Sequence, residues 1–203
     1  MDDFLIYLGL GFDHITDPSG YDHLLFVVAL CAVYTARQWR QVLVLVTAFT
    51  LGHSITLALA TLRLVSFRTD VIELLIPVTI LITAVVNLFF REDGSRFATR
   101  QPRRPVGRYV LAGGFGLIHG LGFSNYLRSL LGREADIWQP LLAFNLGLEL
   151  GQLLIVVLVL GVAQVALQWL TIRPRDWVLV VSGVVAGMAL SLIINNPLLS
   201  RNG

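Results

Sequence analysis

Long apolar runs, separated by short polar segments, are the main pattern along this chain. Runs of roughly 17–25 residues cross a bilayer core of about 30 Å as α-helices. They predict six transmembrane helices, over residues 21–36, 41–64, 69–90, 106–130, 140–169 and 177–195. The apolar stretch before them, residues 4–12, is too short to cross and predicts an interfacial or re-entrant helix. A loop over residues 14–20, with the turn sequence Asp17-Pro18-Ser19-Gly20, is expected to follow it.

Composition supports a membrane protein that forms one transmembrane domain over residues 1–203. Of the 203 residues, 56% are hydrophobic and only 14% are charged, whereas soluble domains carry about 25% charged residues. The mean hydropathy is +0.75. These values predict an all-α helical bundle whose first partner is the lipid bilayer. The formal net charge of +2 does not indicate nucleic-acid binding, because the basic residues lie between the apolar runs.

The arginines predict the orientation of this bundle. No lysine occurs, and the longest polar segment, a linker over about residues 91–108, is rich in arginine. The linkers on one side carry ten arginines: Arg37, Arg40, Arg91, Arg96, Arg100, Arg103, Arg104, Arg108, Arg173 and Arg175. The other side carries five: Arg63, Arg68, Arg128, Arg133 and Arg201. Because cytoplasmic loops carry the excess of basic residues, the first side is predicted to be cytoplasmic and both termini to lie outside.

Two similarities between the halves of the chain suggest an internal repeat. Ala48-Phe49-Thr50-Leu51-Gly52 resembles Ala143-Phe144-Asn145-Leu146-Gly147, and His23 and His119 lie at nearly the same offset, each followed by Leu and Phe. Three helices in each half would give a 3+3 repeat of inverted topology, a plan that occurs in transporters with a central binding site. Chance similarity between apolar segments is the alternative.

Ionisable side chains inside the apolar runs are the candidates for function, because each costs roughly 2.5–3.5 kcal/mol to insert into a bilayer. At about 1.5 Å per helical residue, their depths place them in one layer in the outer half of the membrane. We expect them to form a single metal site. Its predicted ligands are His14, Asp22, His23, His53, His119 and Glu149.

Polar neighbours on the same helices are predicted to support these ligands. Thr50 and Ser54 flank His53, while Asn145 and Gln152 share one helix face with Glu149. Gly116 and Gly120 are expected to let another helix approach closely beside His119. Imidazoles with carboxylates suit zinc, nickel, cobalt, copper or iron, so the predicted ligand is a divalent metal ion.

Four ordered motifs of this chain resemble the HupE/UreJ family of bacterial membrane proteins. They are Gly11-Phe12-Asp13-His14-Ile15 with Gly20-Tyr21-Asp22-His23-Leu24-Leu25-Phe26; Thr47-Ala48-Phe49-Thr50-Leu51-Gly52-His53-Ser54; Gly114-Phe115-Gly116-Leu117-Ile118-His119-Gly120; and Phe144-Asn145-Leu146-Gly147-Leu148-Glu149-Leu150-Gly151-Gln152. The resemblance implies a permease for nickel or cobalt, linked to hydrogenase and urease maturation, in the bacterial inner membrane.

Two alternatives to transport follow from the same residues. An intramembrane metalloenzyme would use a metal-activated water with Glu149 as general base, but the chain contains no His-Glu-x-x-His motif. We therefore favour a transporter over an enzyme. A metal sensor or chaperone would instead pass its ion, with zinc as a further candidate, to a periplasmic metal-handling partner. The sequence is also compatible with a homo-oligomer.

Overall fold

The computed structural model describes residues 2–89, 105–131 and 137–200. Within these ranges every regular element is helical, which confirms the all-helical prediction. The helices are α1 Asp2–Thr16, α2 Asp22–Cys31, α3 Trp39–Thr61, α4 Thr69–Leu88, α5 Pro105–Leu131, α6 Trp138–Gln164, α7 Pro174–Ile194 and α8 Pro197–Ser200. Short 3₁₀ turns cover Pro18–Gly20 and Ala36–Gln38, and a π-helical turn, Val165–Trp169, extends α6.

Four of these helices are long and apolar enough to cross a membrane. They are α3 with its preceding 3₁₀ turn, α4, α6 with its π-helical extension, and α7. Their outward-facing positions are apolar and exposed, as in Leu51, Val157 and Val180. Exposed apolar side chains on long helices are what contact with lipid requires. The chain is therefore a multi-pass membrane protein.

The N-terminal region differs from its prediction at both helices. The first helix does not end at residue 12 but continues to Thr16, so that His14 is helical and not in a loop. Nothing in the sequence interrupts the helix before Pro18, which lacks an N–H and restricts the residue before it. The second helix ends early, at Cys31, because Thr35 and Gln38 form a capping box that starts a new turn. Most of the predicted linker over residues 91–108 lies outside the described residues, and α5 begins within it at Pro105.

Contacts between helices establish their directions. Gly11 of α1 meets Phe144 of α6, and Ile15, one turn later, meets Gly151. Residues thus pair in the same order, and α1 and α6 are parallel. In α5, Gly116 meets Phe49 of α3 and Gly120 meets His53, so these two helices are also parallel.

Helix α4 runs opposite to α5. Asn125 near the end of α5 donates a hydrogen bond to Thr69 at the start of α4, while His119 lies level with Thr79. Helix α2 follows the direction of α4, since its Ala29 carbonyl accepts a hydrogen bond from Asn87 near the end of α4.

Thr47 pairs with Glu149 and Ser54 with Asn145, so α3 and α6 are antiparallel and α6 runs in the direction of α4. Helices α1 and α2 therefore share one direction, and we call this pair of helices the interrupted rod. Both run in the direction of α4 and α6, and the rod breaks at residues 17–21, where His14 and His23 come together with ring centroids 4.6 Å apart. At about 1.5 Å per residue, the two helices together measure roughly 37 Å. Each half alone is too short to cross a bilayer core.

Glycines allow the two parallel pairs to pack with their backbones in contact. A Cβ atom on Gly116 would collide with the Phe49 carbonyl oxygen, and one on Gly120 with the His53 carbonyl oxygen. The predicted close approach beside His119 is therefore confirmed. A Cβ atom on Gly11 would likewise collide with the Phe144 carbonyl oxygen, so α1 depends on a glycine contact of the same kind.

Candidate metal centre

The side chains of three histidines, from three helices, come together in the interior. His14 lies in the last turn of α1, His23 in the first turn of α2, and His53 in the second half of α3. One ring nitrogen from each lies within 4.8 Å of the other two. His23 and His53 are buried, and His14 is partly buried. The helix break brings His14 and His23 together, because the chain between them folds into a compact 3₁₀ turn.

His119 of α5 adjoins this group, with its ring centroid 4.9 Å from that of His23. Its Nε2 atom lies 3.0 Å from the Thr79 hydroxyl of α4. The single hydroxyl proton of Thr79 is donated to the Ile76 carbonyl oxygen at 2.7 Å. The Thr79 oxygen must therefore accept the His119 Nε2–H, which leaves Nδ1 of His119 with a free lone pair.

Asp22 orients His23 in a similar way. The Nδ1 atom of His23 lies 2.9 Å from Oδ1 of Asp22, and the same oxygen accepts the backbone N–H of His23 at 2.8 Å. A carboxylate accepts only, so Nδ1 carries the proton and Nε2 of His23 is the nitrogen that can bind a metal.

The histidine nitrogens that remain have the chemistry of metal donors. Within the described residues, no hydrogen-bond partner is present for the buried Nε2 atoms of His14 and His23, for either ring nitrogen of His53, or for Nδ1 of His119. Buried polar atoms are ordinarily paired. A group of unpaired nitrogen atoms in one place therefore indicates a site for a ligand. Bonds of about 2.0–2.1 Å from nitrogen to a tetrahedral ion set donors roughly 3.3 Å apart, which small rotations of these side chains can reach.

Phenylalanine rings lie on both sides of the four histidines, which we call the histidine layer. On one side, Phe26 packs against Phe49 with centroids 4.8 Å apart and against Phe115 at 6.0 Å. Each of these rings lies about one turn along its own helix from a histidine. On the other side, Phe123 and Phe144 stack at 4.8 Å. The rings exclude water, which strengthens electrostatic interactions within the layer.

The predicted supporting residues lie between α3 and α6 and do not reach His53. Ser54 donates a hydrogen bond to Asn145 at 2.6 Å and Thr50 donates one to Gln152 at 2.7 Å. The predicted stripe on α6 is thus present, but it pairs with α3 hydroxyls. These residues pair with each other because α3 and α6 pack side by side in antiparallel directions. The hydroxyls of α3 then face the side-chain amide and carboxylate oxygens of α6.

Glu149 belongs to the same interface. Its Oε1 atom accepts a hydrogen bond from Thr47 at 3.0 Å. Glu149 is partly buried, and its carboxylate is not among the donor atoms that lie within 4.8 Å of one another around His53. Depth along α6 does not determine the direction in which the Glu149 side chain points, so its role as a metal ligand stays a prediction.

Thr79 and Thr47 are the polar contacts that the sequence analysis did not identify. Threonine occurs often in transmembrane helices, where its hydroxyl bonds the carbonyl four residues earlier, so its presence alone is a weak signal. Thr79 and Thr83 lie one turn apart in a mostly apolar run. That spacing marks a polar stripe on α4 and is the one sequence feature that indicates Thr79.

Comparison with known proteins identifies the family of this chain. Neither the curated proteins nor the solved structures compared with the chain match it. One family model, described as HupE / UreJ protein, matches residues 1–196. This match covers both halves of the interrupted rod, the whole histidine layer and the α3–α6 interface. The chain belongs to the HupE/UreJ family.

Proposed function

We propose that this protein carries a divalent transition-metal ion across the bacterial inner membrane, with nickel or cobalt as the favoured cargo. The family is associated with nickel and cobalt transport. The observation that carries the proposal is the set of unpaired, buried nitrogens contributed by His14, His23 and His53. Neutral imidazoles suit late first-row ions better than magnesium or calcium, which prefer oxygen ligands.

In this proposal the three histidines bind the ion and His119 supplies a fourth nitrogen through Nδ1. Asp22 acts through His23, whose proton it holds, and its charge offsets part of the positive charge of the ion. We assign Glu149 to the α3–α6 interface, where Thr47 is its partner. Thr50, Ser54, Asn145 and Gln152 are assigned to the same interface.

The proposal includes six crossings of the membrane. Four are the apolar helices α3, α4, α6 and α7, the fifth is α5, and the sixth is the interrupted rod of α1 and α2. The arginine count supports a cytoplasmic location for the α2–α3 and α6–α7 connections. The side on which α1 begins is then external, and transport through the histidine layer delivers the ion inward.

Helix contacts support an inverted repeat in which the α1–α2 rod corresponds to α5. Both contain Gly-x-Gly-x-x-His, at residues 9–14 and 114–119. Gly11 meets the Phe144 carbonyl and Gly116 meets the Phe49 carbonyl, and these two phenylalanines are equivalent in the proposed repeat. In this register His14, and not His23, corresponds to His119. Two inverted halves around one central site allow access to alternate between the two faces.

Binding and flux of Co²⁺ test the proposal. Cobalt bound by nitrogen ligands gives visible absorption, so detergent-purified protein can be titrated directly. We expect His53→Ala to lose this absorption and to abolish Co²⁺ uptake into proteoliposomes. Ser182→Ala removes a buried hydroxyl from α7 and is the matched control, expected to bind and transport normally.

Each alternative role gives a different result in the same experiment. A metalloenzyme or sensor would bind Co²⁺ through the histidine layer without moving it across the bilayer. Wild-type protein that shows the absorption but no uptake would therefore reject transport. Unchanged uptake by His53→Ala would reject transport through this layer.

A further inference from the structure

A cavity of about 280 Å³ opens beside the helix break, on the side of the molecule where α4 begins. We call this cavity the vestibule. Its lining includes Asp22, Glu73, Asn195 and Asn196, and none of its lining residues is basic. Two carboxylates without a counter-charge give the vestibule a negative potential, which concentrates cations.

Asp22 connects the vestibule to the histidine layer. Its Oδ1 atom holds Nδ1 of His23, whereas Oδ2 has no partner among the described residues. The other nitrogen of His23, Nε2, is unpaired within a side chain that is only 3% exposed. A cation at the floor of the vestibule is therefore one side chain away from the buried donors.

Glu73 is the second acidic residue that lines the vestibule. In the described part of the chain its exposed carboxylate forms no ion pair, and Pro77, four residues later on α4, also lines the vestibule. Pro77 has no N–H, so it cannot donate the helical hydrogen bond that the Glu73 carbonyl would otherwise accept. The structure thus places the Glu73 residue and the interruption of the α4 backbone hydrogen bonds at Pro77 beside the same cavity.

We propose that the vestibule binds a hydrated divalent cation between Glu73 and Asp22 before the ion loses water and enters the histidine layer. This inference rests on the proposed function. Six waters at about 30 Å³ each occupy roughly 180 Å³, so a fully hydrated ion fits the cavity. Oxygen ligands and water are what a cation that keeps its hydration shell requires.

In this scheme the vestibule captures divalent cations and the histidine layer selects among them. Carboxylates and carbonyls accept magnesium and manganese as readily as cobalt, whereas the imidazoles of the next layer favour the later first-row metals. The vestibule is therefore expected to raise the local concentration of any divalent cation. Mn²⁺ should compete with Co²⁺ for entry but leave the visible absorption of Co²⁺ in the histidine layer unchanged.

Uptake kinetics of Co²⁺ in proteoliposomes at low ionic strength test this inference. Glu73→Gln should raise KM on the order of tenfold, as expected for the loss of one nearby charge, and leave kcat unchanged. Glu73→Asp should restore most of the affinity. The control is Asp70→Asn, which makes the same charge change three residues earlier on α4. Asp70 pairs with Arg68 at 2.5 Å and does not line the vestibule.

Salt provides a second readout that a merely structural role would not change. Added salt screens exposed charges, so the KM of wild type should rise with ionic strength more steeply than that of Glu73→Gln. Equilibrium titration of Co²⁺ absorption should give the same histidine-layer signal for both proteins, which shows that the variant is folded.

The outcomes separate this inference from the proposed function. If His53→Ala abolishes uptake but Glu73→Gln behaves like Asp70→Asn, transport stands and capture at the vestibule is wrong. A loss of kcat together with the Co²⁺ absorption in Glu73→Gln would also overturn capture, because it indicates damage to the fold. If His53→Ala transports normally, the proposed function itself fails.

Discussion

Oδ1 of Asp22 lies 2.9 Å from Nδ1 of His23, its neighbour in the sequence. The contact joins a residue at the floor of the vestibule to a ring of the histidine layer. It also fixes which nitrogen of His23 carries the proton, so that the free lone pair belongs to the buried Nε2 atom.

Replacing the carboxylate of Asp22 should weaken metal binding without changing shape. Asp22→Asn removes the charge that fixes the tautomer of His23, and such partners are typically worth 10–100-fold in metal affinity. We expect a drop of that size in Co²⁺ titrations. Asp13→Asn makes the same charge change on an exposed residue of α1 and should bind Co²⁺ like wild type.

Thr79 is predicted to matter for binding through His119. Thr79→Val keeps the side-chain volume but removes the acceptor for the Nε2–H of His119, which frees the ring to turn. Co²⁺ affinity should fall roughly tenfold, the lower end of such effects. Thr83→Val, one turn later, removes a hydroxyl that, among the described residues, bonds the Thr79 carbonyl and not His119. Equal affinities in the two variants would contradict the orientation assigned to His119.

The close contact between α3 and α5 should not tolerate a methyl group. In Gly116→Ala the new Cβ atom meets the Phe49 carbonyl oxygen, and moving the helices apart costs typically about 1–3 kcal/mol. Thermal unfolding in detergent should show a Tm several degrees lower. Gly114→Ala lies on the same helix, where nothing is within 4 Å of an added Cβ atom. Its Tm should be unchanged or higher, because alanine favours helix by roughly 0.5–1 kcal/mol.

The assignment of Glu149 to the α3–α6 interface can be tested directly by substitution. Glu149→Gln can still accept the hydrogen bond of Thr47 but cannot bind a metal as a carboxylate. If Glu149 serves the α3–α6 interface, Co²⁺ stoichiometry and affinity should match those of wild type, while Glu149→Ala should unfold at a lower temperature. Loss of Co²⁺ binding in Glu149→Gln would instead return Glu149 to the set of ligands.

Sequence patterns were sufficient for the four long apolar helices but not for the ends of α1 and α2 or for the directions of side chains. Apolar runs identify α3, α4, α6 and α7 because crossing a bilayer imposes a length that sequence shows directly. Depth along each run placed His23 and His53 at one level, since helical rise is constant. The hydrogen bonds of Glu149 with Thr47 and of Thr50 with Gln152 could not be predicted, because they depend on how α3 and α6 are rotated against each other. That rotation is set by packing, and no local pattern records it.

The region around Pro18 shows a second limit of prediction from sequence. Its turn chemistry predicts a break, and a break is present. What the sequence does not show is that the helices on both sides continue in the same direction. That outcome depends on contacts far along the chain, between Gly11 and Phe144 for α1 and between Ala29 and Asn87 for α2.

The interruption at residues 17–21 gives the membrane-embedded chain an unusual pattern of local stability. In an uninterrupted transmembrane helix the middle amides are the best protected and exchange their hydrogens last. Here the middle of the rod lacks continuous helical hydrogen bonds and adjoins a water-accessible cavity. Deuterium should therefore enter this rod from its centre, ahead of the flanking turns of α1 and α2.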